Sequence, residues 1–263
     1  MARGMRALIL DFDGVLSDSA REAFVVALRA HCELRPGSAL SVVLARIDPA
    51  HPEADPLYPR FLELMPLGNR AEDYMAGLVA LEQGAELSDQ EAYDAFKAGL
   101  DPGELKAFHK RFYQVRGTWS RSDSAGWLSL LAPYPSFVEL LLRRAGEVEL
   151  AIATAKDRRS VGDLLAHYGI EALFGEGRIV DKETGVSKRT HLSHLQQQLG
   201  VAFEEMTFVE DKVNHLESVA SLGVRCVLAA WGYNGRREWE RAESQGFLVC
   251  TLEDVEARLF QSR

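Results

Sequence analysis

Two aspartates, Asp11 and Asp13, stand two positions apart at the end of the apolar run Ala7-Leu8-Ile9-Leu10, and Gly14 follows them at once. Successive strand residues point to opposite faces, so the two carboxylates share a side while Phe12 is free to pack behind them. Like charges held that close repel, and a bound cation is the usual remedy. A strand that delivers two carboxylates and then breaks at glycine builds a reactive corner. The same four residues also describe an acidic turn that simply ends a strand, and the pattern alone leaves both readings open.

Three further polar features follow in order. Thr154 closes the run Val148-Glu149-Leu150-Ala151-Ile152-Ala153 and precedes Ala155 and Lys156, so a hydroxyl and main-chain amides at a strand-to-helix turn can donate to an anionic oxygen. Lys188 lies within Gly185-Val186-Ser187-Lys188-Arg189-Thr190, just before a helical pattern. Glu210 and Asp211 end the run Met206-Thr207-Phe208-Val209.

The elements that must position these groups are short. Apolar runs of strand length recur at 7 to 10, 148 to 153, 206 to 209, 224 to 230 and 247 to 250. Helical spacing fills 158 to 168, 190 to 199 and 215 to 222, and strand alternating with helix implies a parallel sheet covered on both faces. Ligands of such sheets bind beyond the carboxyl ends of the strands, where Asp11, Thr154 and Asp211 stand. The interval from 19 to 133 differs: helical patterns at 21 to 32, 71 to 83, 88 to 98 and 102 to 113 are separated by proline-rich stretches. It reads as a helical insert, either a lid over the pocket or an independent decoration. The expected division is a core of 1–18 and 134–263 and a helical cap of 19–133.

The chain has 263 residues, 47% of them hydrophobic and 26% charged, as in an ordinary globular protein. A net charge of -9 without a basic run speaks against nucleic acid or anionic membrane as a partner. Cys32, Cys226 and Cys250 are far apart and lack metal-ligand spacing, which points to reduced thiols and, with no visible secretory signal, to a cytoplasmic protein. No apolar run reaches the roughly 18 residues of a membrane span.

With its four features in this order, the chain resembles the haloacid dehalogenase superfamily, and within it the phosphoglycolate phosphatase-like branch. The resemblance covers residues 5 to 17 and 134 to 230, while the insert matches in position and type. It implies an α/β fold with a Rossmann-like parallel sheet and a helical cap inserted after the first strand. It also implies a Mg²⁺-dependent phosphatase acting on a small phosphorylated metabolite. Asp11 would be the nucleophile that forms an aspartyl-phosphate, and Asp13 the acid and then the base. Asp11, Asp211 and the Asp13 carbonyl would hold Mg²⁺. Thr154 and Ala155 would donate to the phosphoryl group, and Lys188 would balance charge around Asp11.

Asp13 selects among reactions within this resemblance, because a halide leaves without a proton whereas an alkoxide benefits from a donor. Lys156 completes a Thr-x-Lys turn that either faces the phosphate or carries a solvated lysine. No proline follows Lys188, which keeps Lys182 as a second candidate. His215 stands four after Asp211, where relatives commonly have Asp, and Glu210 where many have glycine. Glu210 either takes over part of that acid's role or ligates metal, and His215 otherwise caps a helix. In the cap, Asn69, Arg70 and Arg116 could bind a second anionic group, or be surface charges, with Trp119 and Trp127 as packing residues. A phosphomutase, a phosphonatase using Lys97, Lys106 or Lys110, and a binding module that has lost catalysis are the alternatives.

Overall fold

A computed structural model describes residues 4 to 68, 70 to 185 and 187 to 260. The described chain divides into two compact units, one of residues up to 18 together with 133 onward and the other of residues 19 to 132. Asn69 and Val186 lie outside the described residues.

The first unit is built on a six-stranded sheet: β1 (Ala7–Leu10), β2 (Glu149–Ala153), β3 (Ile179–Val180), β4 (Met206–Glu210), β5 (Arg225–Ala229) and β6 (Leu248–Cys250). All neighbours are parallel, and the spatial order is β3, β2, β1, β4, β5, β6. Both faces of β1 are buried, as in a sheet covered by helices on each side. Leu10 lies opposite Ile152 on one neighbour and Val209 on the other, so Asp11, Thr154 and Asp211 emerge at one edge. That edge is the point where the chain order reverses, the natural crevice of a doubly wound sheet.

Helices Arg158–His167, Lys188–Leu199 and Val213–Ala220 link the strands. Lys188 is therefore the first helical residue and not one before the helix, because the Ser187 side chain caps the turn by accepting from Thr190 N at 3.1 Å. Strand β3 went unread in the sequence, since two residues at a sheet edge carry no periodicity. Helix Arg236–Ser244 packs on the edge strand β6, and helix Pro135–Arg143 buries Phe137, Leu140 and Leu141. Cys226 and Cys250 fill the core, where burial pushes their thiols up to about 11 and about 12.

The second unit is helical. Ala20–Leu34, Ala71–Gln83 and Pro102–Ser122 pack on one another, the last running a further two turns beyond the pattern at 102 to 113. The proline-rich stretch holds short helices, Ser41–Arg46 and Leu57–Leu64. Buried Glu22 accepts both arms of Arg116 at 2.7 and 2.6 Å and Trp127 Nε1 at 3.1 Å. Arg116 is thus engaged inside this unit, and Trp127 is a packing residue. Among the described residues no helix is long and apolar enough to cross a membrane.

Candidate active site

The turn after β1 is set by Gly14. Its φ of 81° is left-handed, and a Cβ there would stand 2.5 Å from Asp211 Oδ2, so only glycine fits. Leu16 and Ser17 both donate to Phe12 O, which folds the chain back beneath the aspartates. Asp11 N donates to Val209 O at 2.9 Å and so extends the ladder by one bond past the strand.

Asp11 is buried, and its Oδ1 lies 2.8 Å from Lys188 Nζ. The same ammonium is 3.0 Å from Glu210 Oε2 and donates to Ala153 O at 2.8 Å. Burial, then the charge of Glu210, raises the Asp11 carboxyl to about 7. Burial disfavours the Lys188 cation, yet the charges of Asp11 and Glu210 outweigh it and hold its proton more firmly than usual. Glu210 shows the converse balance. Its own burial opposes ionisation, but Lys188 and then His215 bring it well below the ordinary carboxylate range.

The structure therefore places Glu210 against Lys188, with Oε1 also accepting from the main-chain amides of Asp211 and Lys212. His215 Nδ1 lies 3.1 Å from Glu210 Oε2, so its ring turns toward the site and does not cap its own helix. Lys182 is the weaker candidate for the ammonium role, since its charge acts on Asp157.

Asp13 sits in a different setting. Its side chain is 31% exposed, and Lys156 Nζ reaches its two oxygens at 2.9 and 3.2 Å. Lys156 is itself only 2% exposed, so it is not a solvated lysine. Thr154 is buried, and its Oγ1 accepts from Lys156 N at 3.1 Å, which leaves the hydroxyl proton free to donate elsewhere. Ala155, between them, is exposed.

Asp211 is fully buried. Burial raises its carboxyl well above the ordinary range, and although Lys212 opposes this, the charges of Glu210 and Asp11 add to it. Tyr233 N donates to Oδ2 at 2.9 Å, whereas Oδ1 is buried and accepts no hydrogen bond among the described residues. A buried carboxylate with one orphaned oxygen beside a second carboxylate of raised pKa fits a hard cation with oxygen ligands. Donor atoms of Asp11, Glu210 and His215 also lie within 4.8 Å of one another. Lys188 already supplies the cation at that corner.

Sequence reasoning passed over the turn at 231 to 234, which touches Asp211. Its Gly and Asn were the available signal, but nothing tied them to the four features.

Comparisons with known proteins bear on the family and the fold. A family model described as haloacid dehalogenase-like hydrolase matches residues 5–223. A Mycobacterium tuberculosis protein named tyrosine-protein kinase PtkA is 32% identical over 151 residues, 57% of this chain and 48% of that protein. A Pseudomonas putida phosphoglycolate phosphatase is 32% identical over 128 residues, 47% of this chain and 46% of that protein. This chain thus spans about half the length of these curated relatives. Among solved structures, a haloacid dehalogenase-like family protein from Streptococcus pneumoniae superposes with a TM-score of 0.66 at 14% identity, covering 98% of this chain and 99% of that one.

Proposed function

The chain belongs to the haloacid dehalogenase-like hydrolase family, and from that premise we propose that it is a Mg²⁺-dependent phosphatase, hydrolysing the phosphate monoester of a small metabolite through an aspartyl-phosphate on Asp11. The observation that carries the reading is the contrast at one strand end. Asp11 is buried against Lys188, where a nucleophile is held in place, while Asp13 is partly open and within reach of a leaving group.

In the first half-reaction an Asp11 oxygen attacks phosphorus and the bond to the ester oxygen breaks. Asp13, as the carboxylic acid, gives that oxygen its proton, and the alcohol leaves. In the second, a water attacks the same phosphorus while the Asp13 carboxylate takes its proton. The bond to Asp11 breaks, and inorganic phosphate is released. Lys156 contacts both Asp13 oxygens, so the acid step needs that pair to loosen. An arriving phosphate dianion provides the competing anion for Lys156. Thr154 then donates its hydroxyl proton to a phosphoryl oxygen. Lys188 favours the ionised form of Asp11 and fixes the carboxylate in place.

Asp11, Asp211 and the main-chain carbonyl of Asp13 would hold Mg²⁺, which supplies neutralisation of the like charges of nucleophile and phosphate. The orphaned Asp211 Oδ1 is the donor that supports this assignment.

A Schiff base of the phosphonatase kind finds no support among the cap lysines: Lys97 is paired with Asp73, and Lys106 and Lys110 are exposed. Similarity to a protein named as a kinase puts transfer to a hydroxyl acceptor beside hydrolysis, and the product separates the two. A panel of phosphate esters, including p-nitrophenyl phosphate, is incubated with Mg²⁺ beside Asp11→Asn. The reading expects inorganic phosphate from at least one ester and none from the variant. No hydrolysis of any ester would overturn it in favour of a binding module.

A further inference from the structure

We propose that residues 231 to 234, the turn after β5, form a clasp that positions the Asp211 carboxylate for its cation. The inference rests on Asp211 being a metal ligand and adds the residues that aim it.

Three contacts converge on Asp211 from this turn. Tyr233 N donates to Oδ2 at 2.9 Å. The Asn234 side-chain amide donates to Asp211 O at 3.0 Å and to Ala229 O, at the end of β5, at 2.8 Å. Trp239 Nε1 donates to Asn234 Oδ1 at 2.5 Å, which fixes the end of the amide that donates. Gly232 lies directly on the aspartate: a Cβ there would stand 2.3 Å from Asp211 Cβ and 2.5 Å from Gly14 O. Neither neighbour is the movable tip of a long side chain.

The turn is held from both sides. Trp231 Nε1 donates to Val15 O at 3.1 Å, in the loop that follows Asp11 and Asp13. Lys212 Nζ donates to Tyr233 O at 2.6 Å, from the residue after Asp211. The clasp thus ties the strand end that carries Asp211 to the loop that carries Asp13.

Its chemistry is that of an aiming device. Trp231, Gly232, Tyr233 and Asn234 bring no charge, so they leave the carboxylate's negative charge for the cation. Engaging Oδ2 with a main-chain donor leaves Oδ1, buried and without a hydrogen bond among the described residues, as the oxygen presented. Partners of this kind orient a ligand before the metal arrives and spare the cost of ordering it then.

The test measures Mg²⁺ binding by calorimetry on the full chain without substrate, with circular dichroism and metal-free Tm recorded for each variant. Gly232→Ala should fold and bind Mg²⁺ at least about tenfold more weakly, the scale of losses for partners that orient a metal ligand. Asn234→Ala should shift affinity in the same direction by less. Tyr233→Phe keeps the main-chain donor and should bind as the unaltered chain does; a loss as large as that of Gly232→Ala would contradict positioning by the main chain. Gly232→Ala that folds and binds with unaltered affinity overturns the proposal. Should that variant not fold, Asn234→Ala decides, and unaltered affinity there overturns it too. If the unaltered chain binds no Mg²⁺, the metal reading of Asp211 fails and takes the clasp with it, a result distinct from equal binding by chain and variants.

Discussion

Asp11 and Asp13 leave the same strand two residues apart, yet they occupy opposite environments. Asp11 is buried and shares Lys188 with Glu210, while Asp13 is partly exposed and pairs with Lys156. Burial, with the like charge of Glu210 adding to it, raises Asp11 to about 7 despite its ammonium partner. The difference teaches that identical side chains acquire distinct chemistry from what surrounds them. A fixed, crowded carboxylate suits attack along one line. A carboxylate at the open edge, with a displaceable partner, suits carrying a proton in both directions.

The sharpest break in this comparison comes from Asp13→Asn. It should lower kcat/KM, which reports the first half-reaction, by about 10² to 10⁴ for alkyl phosphates, the usual contribution of a positioned acid or base. The loss should shrink for p-nitrophenyl phosphate, whose leaving group needs no proton, and the ratio of the two esters checks it. Equal losses on both would remove Asp13 from the acid role.

Glu210→Gln comes next. It leaves Lys188 with Asp11 as its one carboxylate among the contacts described, and should reduce kcat by roughly 10 to 100-fold. Its Tm should fall as well, because a buried charge loses its partner. Mg²⁺ affinity should change less than in Asp211→Asn. A matching loss of affinity in the two variants would make Glu210 a metal ligand.

The smallest effect is on pH. Without metal, Asp11 is protonated below about 7, so the proton competes with the cation there. Affinity for Mg²⁺ should rise with pH by up to about tenfold per unit for each proton displaced, the raised carboxyl of Asp211 adding to that of Asp11. Calorimetry between about pH 5.5 and 8.5 checks the sign. A flat affinity across that window would contradict a shared proton and metal site.

The features that repeat or alternate were legible in the sequence. Five of the six sheet strands and the helix Ala71–Gln83 follow from apolar runs and helical spacing, and Asp11 with Asp13 from their own pattern. Strand β3 was not, because its two residues take their place from hydrogen bonding to β2. The end of Pro102–Ser122 was missed because its later turns are polar on most positions. In the site, the strand ends brought Asp11, Thr154 and Asp211 to one edge, and the family resemblance added Lys188. Neither decided what Lys156, Glu210 and His215 do. Those depend on which charge each side chain meets across the sheet, and the meeting of Lys156 with Asp13 joins residues far apart in sequence. The clasp at 231 to 234 was hidden for the same reason.

The central claim is that Asp11 carries the phosphoryl group between the two half-reactions. The chain is quenched in acid during steady-state turnover of its best ester, digested, and its peptides are weighed by mass spectrometry. The account predicts a phosphoryl group on the peptide that contains Asp11, lost when substrate is exhausted and absent from Asp11→Asn. Turnover with the phosphoryl group on any other residue would contradict it.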